Sequence, residues 1–395
     1  MTNELRARWL LPEYIEDILP LQARRIEALR RGILDLLQVH GYQLVMPPLL
    51  EYLDSLLTGT GRDLDLKTFK LVDQLSGRLL GVRADITPQA ARIDAHLLNR
   101  KGITRLCYCG SVLHARPFGF NRTREPLQIG AELYGHSGIE SDVEIQRVAL
   151  QSLKIAGIER VSLDLGNVGI FRSLVQHAQA TPDQEADLFQ AMQARDVSAL
   201  REAAAPLDAA TRTALETLVQ LYGGAEVLAE AERRLPSYPE ITRALADLRA
   251  VSGQLRDVAD IRCFDLAELR GYRYHSGVVF SAYANGATNA LAQGGRYDEI
   301  GKAFGRARPA TGFSMDLREL VAVNPPVDGL RAILAPYRPD DAALAALVAE
   351  LRTNGEVVIA DLPGGNGDEG ADDELICDRE LGFVDGRWQT VTRKR

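Results

Sequence analysis

Residues 128–134 read Gln-Ile-Gly-Ala-Glu-Leu-Tyr. Strict alternation puts Gln128, Gly130 and Glu132 on one strand face and Ile129, Ala131 and Leu133 on the other. A strand of this kind suits an antiparallel sheet that packs a core on one side and keeps polar groups on the other. The surrounding segments fit. Leu79–Val82 and residues 104–108 read as short buried strands, with further strands at 161–165, 261–265 and 276–283. Residues 22–40 repeat apolar side chains at steps of three and four (Ile26, Leu29, Ile33, Leu36, Leu37), and Gly41 is a helix stop. A short strand at 42–45 then ends before Pro47-Pro48. Residues 143–156 return to helix.

Thr181-Pro182 opens a different region. Thr181 is a helix cap and Pro182 suits the first helical position. From 181 to about 255 the chain is rich in Ala, Leu, Glu and Arg, with breaks near Gly223-Gly224 and Pro236–Pro239. It reads as a helical insertion. Pro325-Pro326 marks a second boundary, followed by a strand at 331–336, a helix at 341–352, a strand at 357–359 and a glycine-rich acidic loop at 363–373. The predicted class is α+β. A mixed core spans 1–325, and a small α/β domain spans 326–395.

The bulk numbers exclude more than they assign. Of 395 residues, 46% are hydrophobic and 25% charged, as in an ordinary soluble protein. No apolar run reaches the roughly 18 residues of a membrane helix. The N-terminus carries no signal pattern, so a cytoplasmic location is expected. The net charge of −8 disfavours a grip on nucleic acid. Cys107 and Cys109 share a strand face, but Cys263 and Cys377 are too far along the chain to complete a zinc set, and all four read as structural thiols. No cofactor and no metal are expected.

Residues 295–302 superficially resemble a phosphate loop. The glycine spacing is wrong, and Ala303 stands where a hydroxyl should meet magnesium. Gly294-Gly295 instead meets a backbone need, a tight turn or a close approach. Asp85 and Thr87 sit two apart on an extended-looking stretch before Pro88. Gln128 and Glu132 share a face. Arg270, Tyr274 and His275 surround a strand start, and Arg296 and Tyr297 follow the glycine pair. Such a set suits a small zwitterion: carboxylates for its ammonium, an arginine for its carboxylate, amides and rings for its side chain. A merely wet sheet face remains the alternative reading of each residue. No nucleophile elbow is present, and the other histidines are scattered.

Five stretches, in order, carry a resemblance. Residues 41–51 (GYQLVMPPLLE) are similar to the dimer-interface motif of class II aminoacyl-tRNA synthetases. Residues 128–132 (QIGAE), 270–277 (RGYRYHSG), 294–298 (GGRYD) and 312–320 (GFSMDLREL) resemble histidyl-tRNA synthetase elements. The resemblance implies a class II synthetase-like antiparallel sheet flanked by helices, and a dimer formed through the 41–51 region. It also implies a histidine pocket of Asp85, Thr87, Arg116, Gln128, Glu132, Arg270, Tyr274, His275 and Tyr297.

The departures from that pattern decide the expected function. Where the synthetases carry Arg-x-Glu, this chain has Leu113-His114-Ala115, and Glu319 stands at the position of an ATP-binding arginine. Adenylation builds charge on the α-phosphoryl oxygens, and losing one preorganised donor costs on the order of 10²–10³ in rate. A carboxylate about 4 Å from a phosphate adds roughly 1 kcal/mol of repulsion even at water's dielectric. The tail is acidic, with Asp368, Glu369, Asp372, Asp373 and Glu374 clustered, a poor anticodon surface. The profile resembles the regulatory-subunit paralogues of ATP phosphoribosyltransferase. That family implies a short-form catalytic subunit as partner, histidine as feedback ligand and no reacting residue in this chain. An active histidyl-tRNA synthetase, or a synthetase-like interaction protein of another pathway, are the competing expectations.

Overall fold

The computed structural model describes residues 9–59, 62–117, 123–285, 287–323, 329–364 and 375–393. The chain divides into two compact units, Met1–Asp17 with Ile26–Asn324, and Ile18–Arg25 with Pro325–Arg395.

The larger unit is built on a nine-stranded sheet among the described residues. Its members are β1 (Gln43–Leu44), β5 (Thr104–Ser111), β6 (Leu127–Tyr134), β7 (Val161–Asn167), β8 (Tyr222–Gly223), β9 (Asp260–Asp265), β10 (Val278–Ala284), β11 (Ala292–Arg296) and β12 (Ala310–Asp316). The order is β1-β5-β6-β12-β11-β10-β7-β9-β8. From β5 to β7 every pairing is antiparallel, whereas β1 joins β5 and β9 joins β7 in parallel. The expected antiparallel sheet is thus the centre of a mixed one. A separate three-stranded sheet, β2 (Leu50–Tyr52), β4 (Leu79–Val82) and β3 (Phe69–Val72), stands beside it.

Helices flank the large sheet, and their ends follow local chemistry. In Pro20–Val39, Ile26, Ile33, Leu34 and Leu37 are buried. Gly41 adopts φ +83°, its amide donates to Gln38 O (2.9 Å) and the Tyr42 amide to Leu37 O (3.0 Å). This is the left-handed cap that glycine favours. The helix Ile139–Ile155 ends the same way at Gly157. Thr181 closes a capping box with Gln184 at the start of Pro182–Gln193. Four more helices follow, Val197–Ala204, Ala209–Gln220, Glu226–Arg234 and Pro239–Leu255. Together they form the helical region between β7 and β9.

The smaller unit holds a four-stranded sheet: β13 (Leu330–Pro336), β14 (Val358–Asp361), β15 (Leu375–Val384) and β16 (Arg387–Thr392), in the order β14-β13-β15-β16. Helix Ala342–Thr353 starts at Asp341, whose carboxylate accepts the Leu344 amide at 2.9 Å and the Trp388 indole N–H at 2.9 Å. Ile333, Ala335, Leu344, Val358 and Leu381 make its core. The expected glycine-rich loop and the acidic cluster lie almost wholly outside the described residues, as does Pro325-Pro326.

Candidate functional site

β6 lies inside the large sheet between β5 and β12, and both of its faces are covered, so Glu132 is 1% exposed. Its carboxylate accepts the Tyr108 hydroxyl from β5 at 2.9 Å and the Tyr297 hydroxyl, a short contact, from the residue after β11. Thr87 Oγ1 lies 2.9 Å from Tyr108 Oη and extends the chain. Burial pushes the Glu132 carboxyl up to about 8 against the pull of the Tyr297 and Tyr108 hydroxyls. The space is made by glycines. A Cβ on Gly312 would land on the Glu132 carboxylate, and one on Gly130 would lie 2.6 Å from Tyr108 Oη. Rings of Tyr274 and Tyr297 lie 4.7 Å apart, and Tyr134 meets Tyr297 edge-on at 6.4 Å. The Tyr274 hydroxyl is buried without a hydrogen-bond partner among the described residues.

Asp85 and Gln128 close one side. Gln128 Nε2 donates to Asp85 Oδ1 (2.8 Å), the Thr87 amide donates to the same oxygen (3.0 Å), and Gln128 Oε1 accepts the Ile86 amide (2.9 Å). Residue 87 is not extended as expected. It begins the helix Thr87–Arg92, with Pro88 in the first turn. Proline at that place starts a helix, because its missing N–H is unneeded there.

The pair Arg296-Tyr297 shows why neighbouring residues part. Arg296 forms a buried ion pair with Asp142 (2.7 Å) and donates to Gly138 O (2.9 Å), fixing the start of helix Ile139–Ile155. Tyr297 goes the other way, to Glu132. Gly294 and Gly295 lie inside β11 and make no turn, and a Cβ on Gly294 would strike the Gly312 carbonyl. The close-approach alternative is the one the structure realises.

Two clefts adjoin this network. Arg270, His275, Ser281 and Gln293 line one of them together with Asp164, Asp265 and Glu268. Arg270 donates to Ser281 Oγ (3.4 Å) and lies 3.8 Å from Glu268. Burial lowers His275 to about 4, leaving a neutral ring whose Nδ1 is 3.3 Å from Arg296 O. The other cleft is lined by Lys67, Asp85, His114, Gln128, Gln293, Ser314, Asp316 and Glu319, among others. Burial pushes Asp316 up to about 6 while it accepts the Leu127 (3.1 Å) and Arg318 (3.0 Å) amides. Arg318 itself is engaged by Glu125 at 3.1 Å.

Of the sequence-derived residues, Asp85, Thr87, Gln128, Glu132, Tyr274, His275 and Tyr297 gather around one network or its clefts, and Arg270 lines the neighbouring cleft. Arg116 does not join them. It is exposed on the bend after β5 and lines neither cleft. The sequence reading passed over Tyr108, Gln293, Ser281 and Asp316. Tyr108 had a signal once register is known, since it faces Gly130 across the β5–β6 ladder. A glycine opposite an aromatic ring leaves room for that ring.

Comparison with known proteins agrees with this architecture. The histidyl-tRNA synthetase family model matches residues 14–320, and the model of the ATP phosphoribosyltransferase subunit HisZ C-terminal domain matches residues 330–391. An ATP phosphoribosyltransferase regulatory subunit from Nitrosospira multiformis is 58% identical over 96% of this chain and 97% of its own. One from Ralstonia nicotianae is 56% identical over 98% of both. Among solved structures, an ATP phosphoribosyltransferase regulatory subunit/histidyl-tRNA synthetase from Bacillus halodurans superposes with TM-score 0.80 at 27% identity, covering 93% of this chain and 96% of that one. Histidyl-tRNA synthetase from Nostoc, at 17% identity and TM-score 0.75 over 97% of each chain, shares the fold. The fold is that of class II synthetases, and by relatives that match it nearly end to end the chain belongs to the ATP phosphoribosyltransferase regulatory subunit family.

Proposed function

We propose that this chain is a non-catalytic regulatory subunit, which assembles with the short-form catalytic subunit of ATP phosphoribosyltransferase and conveys feedback by histidine. Histidine occupies the Glu132 pocket. Its imidazole meets Glu132, Tyr297 and Tyr274, its ammonium meets Asp85, Thr87 and Gln128, and Arg270 serves its carboxylate. Two copies pair through the 41–51 region. Residues 1–325 form the core, about 181–255 its insertion and 326–395 the tail. The setting is the cytoplasm, without nucleic acid.

One observation carries the non-catalytic part. Beyond Asp85, which the proposed ammonium occupies, the cleft beside the amino-acid pocket holds Asp316 and Glu319 against Lys67 and the His114 ring. A triphosphate needs converging cations, bidentate arginines above all. Carboxylates there repel it. The network around Glu132, by contrast, is polar and buried, and the clefts that adjoin it present Arg270 and His275 on one side and Asp85 and Gln128 on the other, the donors and acceptors a small zwitterion needs.

The test is phosphoribosyltransferase turnover by the short catalytic subunit, with and without this chain, across a histidine titration. Activation by the chain and a histidine-dependent fall in rate support the proposal. An indifferent catalytic subunit overturns it. A ligand shifts the partner by its difference in affinity between states, so histidine must bind the active and inhibited complexes unequally.

A further inference from the structure

We infer that Tyr272 is a latch: through it the helical region between β7 and β9 sets where Arg270 and His275 stand at their cleft. Tyr272 and its neighbour Arg172 line neither cleft, and both are positioning residues.

The segment that joins β9 to β10, residues 266–277, sends its side chains to three places. Arg270 and His275 line the cleft. Tyr274 packs on Tyr297, with ring centres 4.7 Å apart. Tyr272 is 4% exposed and lies between two phenylalanines. Phe171, on the helix Gly169–His177, meets it edge-on at 5.1 Å, and Phe189, on the helix Pro182–Gln193, stacks on it at 5.5 Å. The Tyr272 hydroxyl donates to Glu185 Oε1 at 2.8 Å. Glu185 and Phe189 are four residues apart and so share one face of their helix. That face offers a tyrosine all it needs, an apolar wall for the ring and an acceptor for its end.

Arg172 fastens the backbone beside the ring. Its Nη2 donates to Tyr272 O (2.9 Å) and to His275 O (2.8 Å), and its guanidinium carbon lies 5.0 Å from the centre of the Tyr272 ring. A donor shared by carbonyls three residues apart fixes the turn between them. Inside that turn the His275 amide donates to Gly271 O at 2.7 Å. Gly271 adopts φ +66°, and a Cβ there would lie 2.7 Å from His275 Cδ2. The imidazole therefore rests against the glycine and moves with the turn.

The two sides of the segment hold it unequally. At its ends the Leu266 amide donates to Leu221 O (3.1 Å) and the Ser276 amide to Arg296 O (2.7 Å). Between those ends the cleft side gives only long contacts: Arg270 to Ser281 Oγ at 3.4 Å and to Glu268 at 3.8 Å, and His275 Nδ1 to Arg296 O at 3.3 Å. The short side-chain bonds, to Tyr272 and to the carbonyls that Arg172 holds, all come from the helix side. An irregular segment held by a few bonds opens by itself, without the sheet. Removing one buried bond changes such an opening about tenfold.

Hydrogen–deuterium exchange on the full chain, read by mass spectrometry, tests this. Glu185→Leu alters a half-buried helix position and removes the acceptor. The amides of 270–276 should exchange about tenfold faster, with those of β6 and β12 unmoved. Glu185→Gln keeps an oxygen for the hydroxyl and should exchange as the parent does. Tyr272→Phe should match Glu185→Leu, and the double variant should add nothing, because both remove one bond. Unchanged exchange in Glu185→Leu, faster exchange throughout the chain, no rescue by Glu185→Gln, or additive effects overturn the latch. Histidine calorimetry adds a second arm, which rests on the proposed role of Arg270 toward the ligand. Glu185→Leu should bind histidine about tenfold more weakly. Parent-like affinity beside faster exchange overturns the link to the cleft. A parent chain that binds no histidine overturns the histidine site, and exchange alone then decides the latch.

Discussion

The Glu132 pocket and the Asp316 cleft share β6 and β12, and Gln128 and Gln293 border the cleft beside Asp316. They treat charge in opposite ways. In the pocket a single carboxylate is sheathed by tyrosine hydroxyls and sealed from water. In the cleft Asp316 and Glu319, with Asp85 at its border, are set around an opening with Lys67 for company. On the function proposed above, a sheet keeps a small-ligand site on one part of its face while the adjoining part is unfit for phosphate. Fold and ligand chemistry are separable, because the fold depends on backbone ladders and buried apolar faces while the chemistry depends on a few side chains.

Substitutions sharpen this contrast, beginning with the pocket. Glu132→Leu strands the hydroxyls of Tyr108 and Tyr297, and histidine affinity measured by calorimetry should fall about 100-fold. Gly312→Ala should act through the same group. Its Cβ collides with the carboxylate, so weaker histidine binding comes with a loss of about 1–3 kcal/mol in chemical denaturation. If Gly312→Ala binds histidine as the parent does, Glu132 is not where the ligand sits.

The cleft predicts a gain instead. Glu319→Arg in the cleft, combined with Leu113→Arg at the position where the synthetase pattern has arginine, removes one repulsive carboxylate and adds two forked donors. ATP affinity should rise about tenfold or more, while histidine affinity stays within a factor of about two. An ATP affinity unchanged by both substitutions contradicts the charge argument.

Asp316 tests the cleft through stability. Burial raises its folded value to about 6, above the roughly 3.9 of an unfolded aspartate. The folded chain therefore holds more protons across that interval. The stability present at low pH is lost as pH rises from about 4 through about 6, by roughly 3 kcal/mol. Asp316→Asn keeps an oxygen for the Leu127 and Arg318 amides and removes the charge. It should melt higher than the parent at neutral pH and equally below about pH 4. The smallest effect belongs to Arg116→Ala. The side chain is exposed and outside both clefts, so stability and histidine affinity should each move by less than about 0.5 kcal/mol.

Much of this was written in the residues. The alternation at 128–134 fixed a strand and placed Glu132, and the capping signals at Gly41 and Thr181 held as helix boundaries. Register was harder, because alternation says which face a residue takes and not which strand lies beside it. Tyr108 and Asp316 are therefore silent in sequence, since each matters through a neighbour on another strand. Thr87 was misread because Pro88 served as a stop where it is a start. The hairpin of β15 and β16 had a plain signal in Asp385-Gly386, both at positive φ, the pairing that tight hairpins favour.

Histidine-dependent pyrophosphate exchange bears most directly on the proposed non-catalytic role. With Leu113 and Glu319 where the synthetase pattern has arginines, each such donor worth on the order of 10²–10³ in rate, the account predicts exchange at background level in a preparation that binds histidine by calorimetry. Exchange at synthetase rates by the same preparation would mean that other cations converge on the nucleotide, and would contradict it.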